Sequence, residues 1–285
     1  GVAREIAPGV RRIVAENPSA FTYFGTNTYI VGQGEVAVID PGPFIEKHVE
    51  KIKNALVGET VTQILVTHTH IDHSPASTWL KELTGAPIVG AYPRAQTDGQ
   101  PVEAGQEDFS PDTEIVDGSM ISGPGWVLDA VYTPGHMSNH HCFALRDQNI
   151  LFSGDHVMGW NTTIVSPPDG NMREYLESLR VCLNRKENLY LPGHGPEILD
   201  TKPFVRAYLN HRLLREKEIG KCLNSGLTLI PDMVREMYAH LPKEMHGAAA
   251  RSVLAHIEHM VETDRAVCDG PINSSSSFSP GPSLN

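Results

Sequence analysis

Three histidines and one aspartate stand within six consecutive residues of this 285-residue chain, in the stretch "LVTHTHIDHSP". They are His68, His70, Asp72 and His73. Clustered imidazole and carboxylate groups suit a borderline divalent ion such as zinc. His68 and His70 share one face if the backbone stays extended, and a loop after the strand lets Asp72 and His73 turn the other way. The stretch therefore predicts part of a metal site.

Further candidate ligands follow three later apolar strands, each beside a glycine. They are His136 in "VYTPGH", Asp155 in "ILFSGDH" and His194 in "LYLPGHG". Glycine lets the backbone turn sharply at these places, so that the side chains can meet at a shared edge. Taken singly, each is more often an ordinary solvated or structural residue. Because the strand–turn–ligand context occurs four times, the pattern favours one shared metal centre.

These residues alone leave the number of ions open, but a centre with two ions would have a definite chemistry. Two divalent ions about 3.5–4 Å apart hold a bridging water and lower its pKa towards neutrality. The resulting hydroxide attacks a carbonyl carbon or a phosphorus, and Asp72 could orient it. The G-x-S-x-G pattern of a serine nucleophile is absent from the sequence. We therefore expect hydrolysis without a covalent enzyme intermediate.

Composition limits the class of protein. The formal net charge is −11, and proteins that bind duplex nucleic acid usually carry the opposite sign. Four scattered cysteines form no C-x-x-C pair, which indicates reduced thiols and not a disulfide framework. Neither a signal-peptide pattern nor a long apolar run is present, so we expect a cytoplasmic protein without membrane contact.

Strand and helix patterns alternate through the first part of the chain. "NTYIVGQGEVAVIDPGP" predicts two strands joined by a glycine-rich turn, and "SPASTWLKELTG" predicts a helix with start and stop signals. Residues 112–152 then indicate successive strands with short turns. In "MREYLESLRVCLN", the residues Tyr175, Leu176, Leu179 and Leu183 fall on one helical face. This order favours a layered fold of sheets and helices.

After Leu199 the pattern becomes mainly helical. Three helices are predicted, the second with Pro231 at its start, and "RAVCDG" could be a short wing strand. The tail "INSSSSFSPGPSLN" is of low complexity and should have no core of its own. We therefore divide the chain into a catalytic domain (1–202), a helical winged-helix-like domain (203–270) and a tail (271–285).

Taken together, "THTHIDH", "PGH", "SGD" and "PGHG" resemble the metallo-β-lactamase superfamily in its dinuclear H-x-H-x-D-H form, over about residues 20–200. The resemblance implies an α+β fold, an αβ/βα sandwich with two metal ions between the edges of its sheets. By position, it assigns His68, His70 and His136 to the first ion, Asp72, His73 and His194 to the second, and Asp155 to both. Zinc is the expected metal, with manganese and iron as alternatives.

Asp40, in "VIDPG", matches the early aspartate of that family, which typically supports the ligand loop from behind. His140 matches a structural position of the family, and His156 beside Asp155 is expected to support the site without binding a metal.

The substrate is less well defined by the sequence. "GTNTY" at 25–29 and the winged-helix-like domain resemble a subgroup that includes beta-lactamase-like protein 2, whose animal members cleave single-stranded RNA. RNA binding would need the basic residues of one helix to form a patch, although Glu216 and Glu218 interrupt it. The alternatives are a glyoxalase II-like thioester hydrolase, a lactam hydrolase, a mononuclear iron sulfur dioxygenase and a purely structural metal. The partner is thus a small-molecule or an RNA substrate; the oligomeric state is open, and a homodimer is one option.

Several residues are candidates for the substrate side of the cleft. Asn27 and Tyr29 lie on an early strand that this fold places near the metals, and "MGWNTTIVSPPDGNM" follows Asp155 directly. The predicted substrate residues are Asn27, Tyr29, Trp160, Thr162, Thr163, His211 and Arg212.

Overall fold

The computed structural model describes residues 2–94, 105–106 and 108–284. Within these residues, two β-sheets pack face to face, helices cover both outer faces, and a small helical domain follows. None of the helices in these ranges is long and apolar enough to cross a membrane.

The first sheet contains the N-terminal strands in chain order. They are β1 (Arg4–Ala7), β2 (Val10–Val14), β3 (Asn27–Gln33), β4 (Glu35–Ile39), β5 (Thr60–Leu65), β6 (Ile88–Gly90) and β7 (Thr113–Glu114). The strands from β1 to β4 pair antiparallel, and those from β4 to β7 pair parallel. Helices α1 (Glu46–Ala55) and α2 (Ala76–Thr84) supply the crossovers that parallel neighbours require.

The second sheet has the order β12-β11-β10-β9-β8. Its strands are β8 (Met120–Gly123), β9 (Trp126–Tyr132), β10 (His141–Leu145), β11 (Ile150–Gly154) and β12 (Leu189–Pro192). Only β11 and β12 pair in parallel, and α3 (Met172–Asn184) connects them. On α3 the predicted apolar face is confirmed, since Tyr175, Leu176 and Leu179 are buried and Leu183 is partly buried.

Alternating side chains explain why the first sheet lies between two apolar layers. Tyr29 and Val31 of β3 pack into the core between the sheets, while Ile30 packs into the core beneath α1 and α2. Successive side chains of a strand point to opposite faces, so a strand buried on both faces reads as a continuous apolar run.

The C-terminal domain is built from three helices and a two-stranded ribbon. The elements are α4 (Thr201–Asn224), α5 (Ile230–Met237), α6 (His246–Glu262), β13 (Ala266–Cys268) and β14 (Phe278–Pro280). Pro231 lies in the first turn of α5, as predicted. The predicted domain boundary at residue 202 falls inside the first turn of α4.

Part of the tail packs on the small domain. The β14 strand of the tail pairs antiparallel with β13, and Phe278 is 1% exposed within the core of the small domain. A single phenylalanine in a serine-rich stretch produces no periodic pattern, so the sequence did not reveal this packing.

We predict that Phe278→Ala lowers the free energy of unfolding by about 3–5 kcal/mol, because it removes a fully buried aromatic ring. Denaturant unfolding measures the change. The matched control is Phe44→Ala, whose ring is 61% exposed, with an expected change within about 0.5 kcal/mol. Equal effects of the two substitutions would show that the tail does not pack on the domain.

Candidate metal centre

The seven predicted ligands meet at one edge of the sandwich. In the second sheet β10 is antiparallel to β9 and β11, and β12 is parallel to β11, so β9, β11 and β12 run in one direction. Their carboxyl ends therefore lie at the same edge, beside the carboxyl end of β5. The ligands that follow these strand ends are His68, His70, Asp72 and His73 after β5, His136 after β9, Asp155 after β11, and His194 after β12.

His68, His70 and His136 form the first group of candidate ligands. His70 Nδ1 lies 3.0 Å from His68 Nε2 and 2.9 Å from His136 Nε2. Nitrogen ligands about 2.0–2.1 Å from a tetrahedral zinc ion stand about 3.3 Å apart. The three rings thus turn their nitrogen atoms towards a common point, at spacings near those of a coordination shell.

Asp72, His73 and His194 form the second group. His194 Nε2 lies 3.3 Å from His73 Nε2 and 3.1 Å from Asp72 Oδ2. Asp72 Oδ2 is 3.5 Å from His73 Nε2. These three atoms also converge on one point.

Asp155 lies between the two groups. Its Oδ2 atom is 3.2 Å from His194 Nε2 and 3.7 Å from His136 Nε2, and its Oδ1 atom is 3.5 Å from His73 Nε2. This Oδ1 atom is buried, and no described residue donates a well-formed hydrogen bond to it. A buried carboxylate oxygen without a donor is costly unless a cation neutralises it. The donor set therefore fits divalent cations.

Gly193 permits this approach of Asp155. A Cβ atom at Gly193 would lie 2.4 Å from Asp155 Oδ1 and 2.7 Å from His73 Cε1. Gly135, before His136, has a φ of +129°, and a Cβ there would lie 2.3 Å from the backbone of Tyr175. Gly135 thus agrees with the expectation that a glycine beside a ligand lets the chain turn sharply, whereas Gly193 permits a close approach of side chains.

A layer of hydrogen bonds behind the ligands orients them, and Asp40 is its centre. Asp40 Oδ2 accepts from His73 Nδ1 at 2.9 Å and from Thr67 Oγ1 at 2.7 Å, while Oδ1 accepts from the Thr67 N–H at 2.7 Å. Since the Thr67 hydroxyl donates to Asp40, its oxygen can accept from His68 Nδ1, 2.9 Å away. When both rings are neutral, the hydrogen therefore sits on Nδ1 of each, and each Nε2 has a lone pair available for a metal ion.

Similar contacts orient the other imidazoles. His136 Nδ1 lies 2.6 Å from Ile164 O, and His194 Nδ1 lies 3.3 Å from Gly25 O. His140 Nε2 accepts from the Asp155 N–H at 3.1 Å, which supports the Asp155 loop without entering the cluster. Fully buried His156 stacks edge-on against Tyr175, with ring centroids 5.1 Å apart.

Burial and charge act in opposite directions on the histidines. Burial lowers the pKa of His68 well below its usual value and that of His70 to about 3, which keeps both rings neutral. Burial also disfavours the charged form of His73 and His194. For both rings, however, the attraction of the nearby Asp72 and Asp155 carboxylates outweighs the effect of burial. The pKa of His73 is therefore raised, and that of His194 rises to about 9.

This charge balance also favours a bound cation. Two imidazolium rings would direct N–H groups at each other across the 3.3 Å between His73 Nε2 and His194 Nε2. A metal ion satisfies the same carboxylates with both rings neutral, and so removes this repulsion.

A cavity of about 320 Å³ opens onto the cluster. Its polar end is formed by candidate ligands from both groups, among them His70, Asp72 and His194. The large apolar side chains in the rest of its wall are Phe21, Ile71, Met137, Met158 and Ile164, and the polar ones include Ser19, Thr22, Ser166 and Asp169. Arg251 of α6 also lines it.

None of the seven predicted substrate residues lines this cavity. Asn27 instead donates to Pro192 O at 2.9 Å and Gly195 O at 3.0 Å, and the Tyr29 hydroxyl donates to Pro192 O at 2.7 Å. Both side chains are buried and hold the loop that carries His194. They therefore support the candidate ligand His194 from behind and do not face the cavity.

The other five predicted substrate residues also lie outside the cavity wall. Thr163 donates to Asp155 O at 2.5 Å, and Arg212 donates to Thr163 O and lies over the Tyr175 ring at 5.1 Å. Trp160 stacks on Tyr23, with ring centroids 5.1 Å apart. Thr162 and His211 are partly buried outside the cavity wall.

The sequence did not reveal the actual wall, because its residues come from segments that are far apart in the chain. Ile71 and Met137 could have been suspected, since each adjoins a predicted ligand. Phe21 and Arg251 have no such local signal.

Comparisons with known proteins agree with this geometry. The family described as "Metallo-beta-lactamase superfamily" matches residues 22–194, and the one described as "Beta-lactamase associated winged helix domain" matches residues 230–271. A "Beta-lactamase-like protein 2 homolog" of Caenorhabditis elegans is 29% identical, over 87% of this chain and 83% of the relative. An "Atrochrysone carboxyl ACP thioesterase" of Aspergillus fumigatus is 32% identical, over 84% of this chain and 76% of the relative.

Solved structures share the fold along nearly the whole chain. A metallo-beta-lactamase family protein from Thermus thermophilus superposes with a TM-score of 0.79 at 20% identity, covering 97% of this chain and 100% of that one. A beta-lactamase domain protein from Burkholderia ambifaria gives a TM-score of 0.80 at 21% identity, covering 98% and 93%. The predicted α+β sandwich with its winged-helix domain is thus confirmed. The chain belongs to the metallo-β-lactamase superfamily and is a hydrolase of that family with a C-terminal winged-helix domain.

Proposed function

We propose that this protein is a dinuclear, metal-dependent hydrolase of thioesters with an apolar acyl group. One observation carries the proposal: a cavity with largely apolar walls ends on the paired His/Asp groups. An acyl chain can leave water along such walls while its carbonyl reaches the polar end. Several relatives are named as thioesterases, including those of Aspergillus chevalieri and Claviceps purpurea.

The assignment of ligands follows the two groups of the cluster. His68, His70 and His136 would hold one ion, Asp72, His73 and His194 the other, and Asp155 both; zinc is the first choice because imidazole and carboxylate ligands suit it. When bound, such ions acidify water and polarise a carbonyl group. A third group, His68, His73 and Asp155, connects the other two, which supports a bridging place for Asp155.

Asp72 is the carboxylate that this chain offers to the reaction. Its side chain is 24% exposed, compared with 8% for Asp155, and it lines the cavity. Burial opposes its ionisation, but His73 and His194 outweigh this and hold the pKa of Asp72 well below its usual value. Asp72 thus stays an acceptor that can orient the attacking water. The apolar side chains beside it exclude bulk water from the acyl chain.

RNA cleavage is less well supported by the surface. The basic patch that it requires would include Arg212 and Arg215 of α4. Arg212 is 3% exposed over Tyr175, and Arg215 pairs with Glu218 at 2.5 Å. The helix therefore presents fewer free cations than its sequence suggested. The cytoplasmic location and the oligomeric state remain predictions.

We predict that the zinc-loaded protein hydrolyses the hexanoyl thioester of N-acetylcysteamine. Asp155→Ala should lower kcat/KM by more than about 100-fold, because even residues that support metal ligands from behind contribute about 10–100-fold. Thiol release measures the rate, and Asp147→Asn, at an exposed position, is the control. A single-stranded RNA and a lactam are assayed in parallel. Cleavage of either without thioester hydrolysis would overturn the thioester proposal.

We predict a second effect, for Asp40→Asn, because an amide nitrogen cannot accept the hydrogen bonds that Asp40 Oδ2 receives from His73 and Thr67. Metal affinity should fall about 10–100-fold, as measured by competition with a chromophoric chelator. Asp147→Asn should leave the affinity unchanged. Wild-type affinity in Asp40→Asn would mean that the ligands do not depend on this layer.

A further inference from the structure

We infer that Arg251, from the winged-helix domain, is a specificity-determining residue that binds an anionic oxygen group of the substrate, a carboxylate or a phosphate. The inference rests on the proposed function for the kind of substrate. It also gives the small domain a direct part in the active site, beyond covering the cleft.

The composition of the cavity wall is the first observation. Among the described residues that line it, Arg251 is the only lysine or arginine. The apolar side chains of the wall offer no hydrogen bonds to a polar substituent of the substrate. A cation in such surroundings forms stronger, charge-assisted hydrogen bonds than it would in water.

The two faces of α6 explain how Arg251 reaches the cavity. Val253, Ile257 and Met260 pack into the core of the small domain. Ala255 packs instead into the core that α3 and α4 share with the second sheet. Arg251 precedes Ala255 by four residues, so both lie on the face of α6 that meets the catalytic domain.

Polar contacts link α6 to its neighbours on both sides. Glu262, at the end of α6, lies 3.2 Å from Arg173 at the start of α3. On the small-domain side, buried Glu216 of α4 contacts His259 at 2.7 Å and Arg265 at 2.6 Å. A guanidinium presented by an anchored helix is held more precisely than one on a loop.

The chemistry of the guanidinium selects the ligand. Its planar fork matches the two oxygens of a carboxylate or phosphate. Asp169, an opposite charge in the same wall, already accepts the Ser138 N–H at 2.8 Å through its Oδ2 atom. A guanidinium has five N–H donors, so it can serve a wall carboxylate and a substrate together. Because the whole chain has a net charge of −11, a local cation is needed to draw in an anion.

The anionic group could belong to either half of a thioester. It is either a carboxylate at the far end of the acyl group or the phosphate of the phosphopantetheine group to which the acyl group is attached. Three substrates separate these sources: the hexanoyl and adipoyl thioesters of N-acetylcysteamine, and the hexanoyl thioester of phosphopantetheine.

We predict that the wild-type protein prefers one of the two anionic substrates over neutral hexanoyl-N-acetylcysteamine by about 10-fold or more in kcat/KM, mainly through KM, as for a bidentate charged contact. Arg251→Gln should bring this ratio close to one, and Arg251→Lys should restore part of it. The control is Arg235→Gln in α5, whose side chain is 67% exposed and which should keep the wild-type ratio. The preferred substrate identifies the source of the anion.

Calorimetric binding of adipate, hexanoate and phosphopantetheine to the zinc-loaded protein tests the inference separately from hydrolysis. If no thioester is hydrolysed but adipate or phosphopantetheine binds more tightly than hexanoate and Arg251→Gln removes the difference, the proposed function fails and the role of Arg251 stands. Equal handling of anionic and neutral ligands by the wild type, or a preference that survives in Arg251→Gln, overturns the inference.

Discussion

The cost of burying carboxylates beside one another organises this molecule. Asp155 is 6% exposed, and it lies against histidines of both ligand groups while Asp72 faces the second of them. Such charges are stable in the interior only when cations and hydrogen-bond donors surround them. The imidazole rings, the glycine turns and the converging strand ends all serve this requirement. The donor set at the edge where the two sheets meet consequently fits divalent cations.

The buried carboxylate of Asp40 extends the same principle one layer outward. It accepts hydrogen bonds from the Thr67 backbone N–H, the Thr67 hydroxyl and the His73 ring. Through the Thr67 hydroxyl it also orients His68. Asp40 itself has a φ of +47°, a conformation that residues other than glycine rarely adopt. His48 of α1 supports that turn, with its Nε2 atom 3.0 Å from Pro41 O. The packing of α1 on the outer face of the first sheet thus helps to hold Asp40, and through Asp40 the candidate ligand His73, in place.

The winged-helix domain is joined to the catalytic domain by packing as well as by charge. Ala255 of α6 lies in a core shared with α3, and Arg212 of α4 holds the loop that follows Asp155. Arg212 was expected to face the substrate and is instead structural. The residue of this domain that does line the cavity is Arg251 of α6. The domain therefore completes the wall of the site.

The amino-acid sequence by itself identified the candidate ligands and the layers of the fold. Each ligand follows an apolar strand within a few residues, and strand or helix periodicity is a local property that a sequence displays directly. Only the tertiary structure decided the cavity wall, because Phe21, Ile71, Met158 and Arg251 are distant in sequence and become neighbours through packing. The same holds for Phe278, whose burial depends on a strand pairing across a polar segment. Local patterns thus identify the chemistry of this site, whereas the shape that selects a substrate arises from long-range contacts.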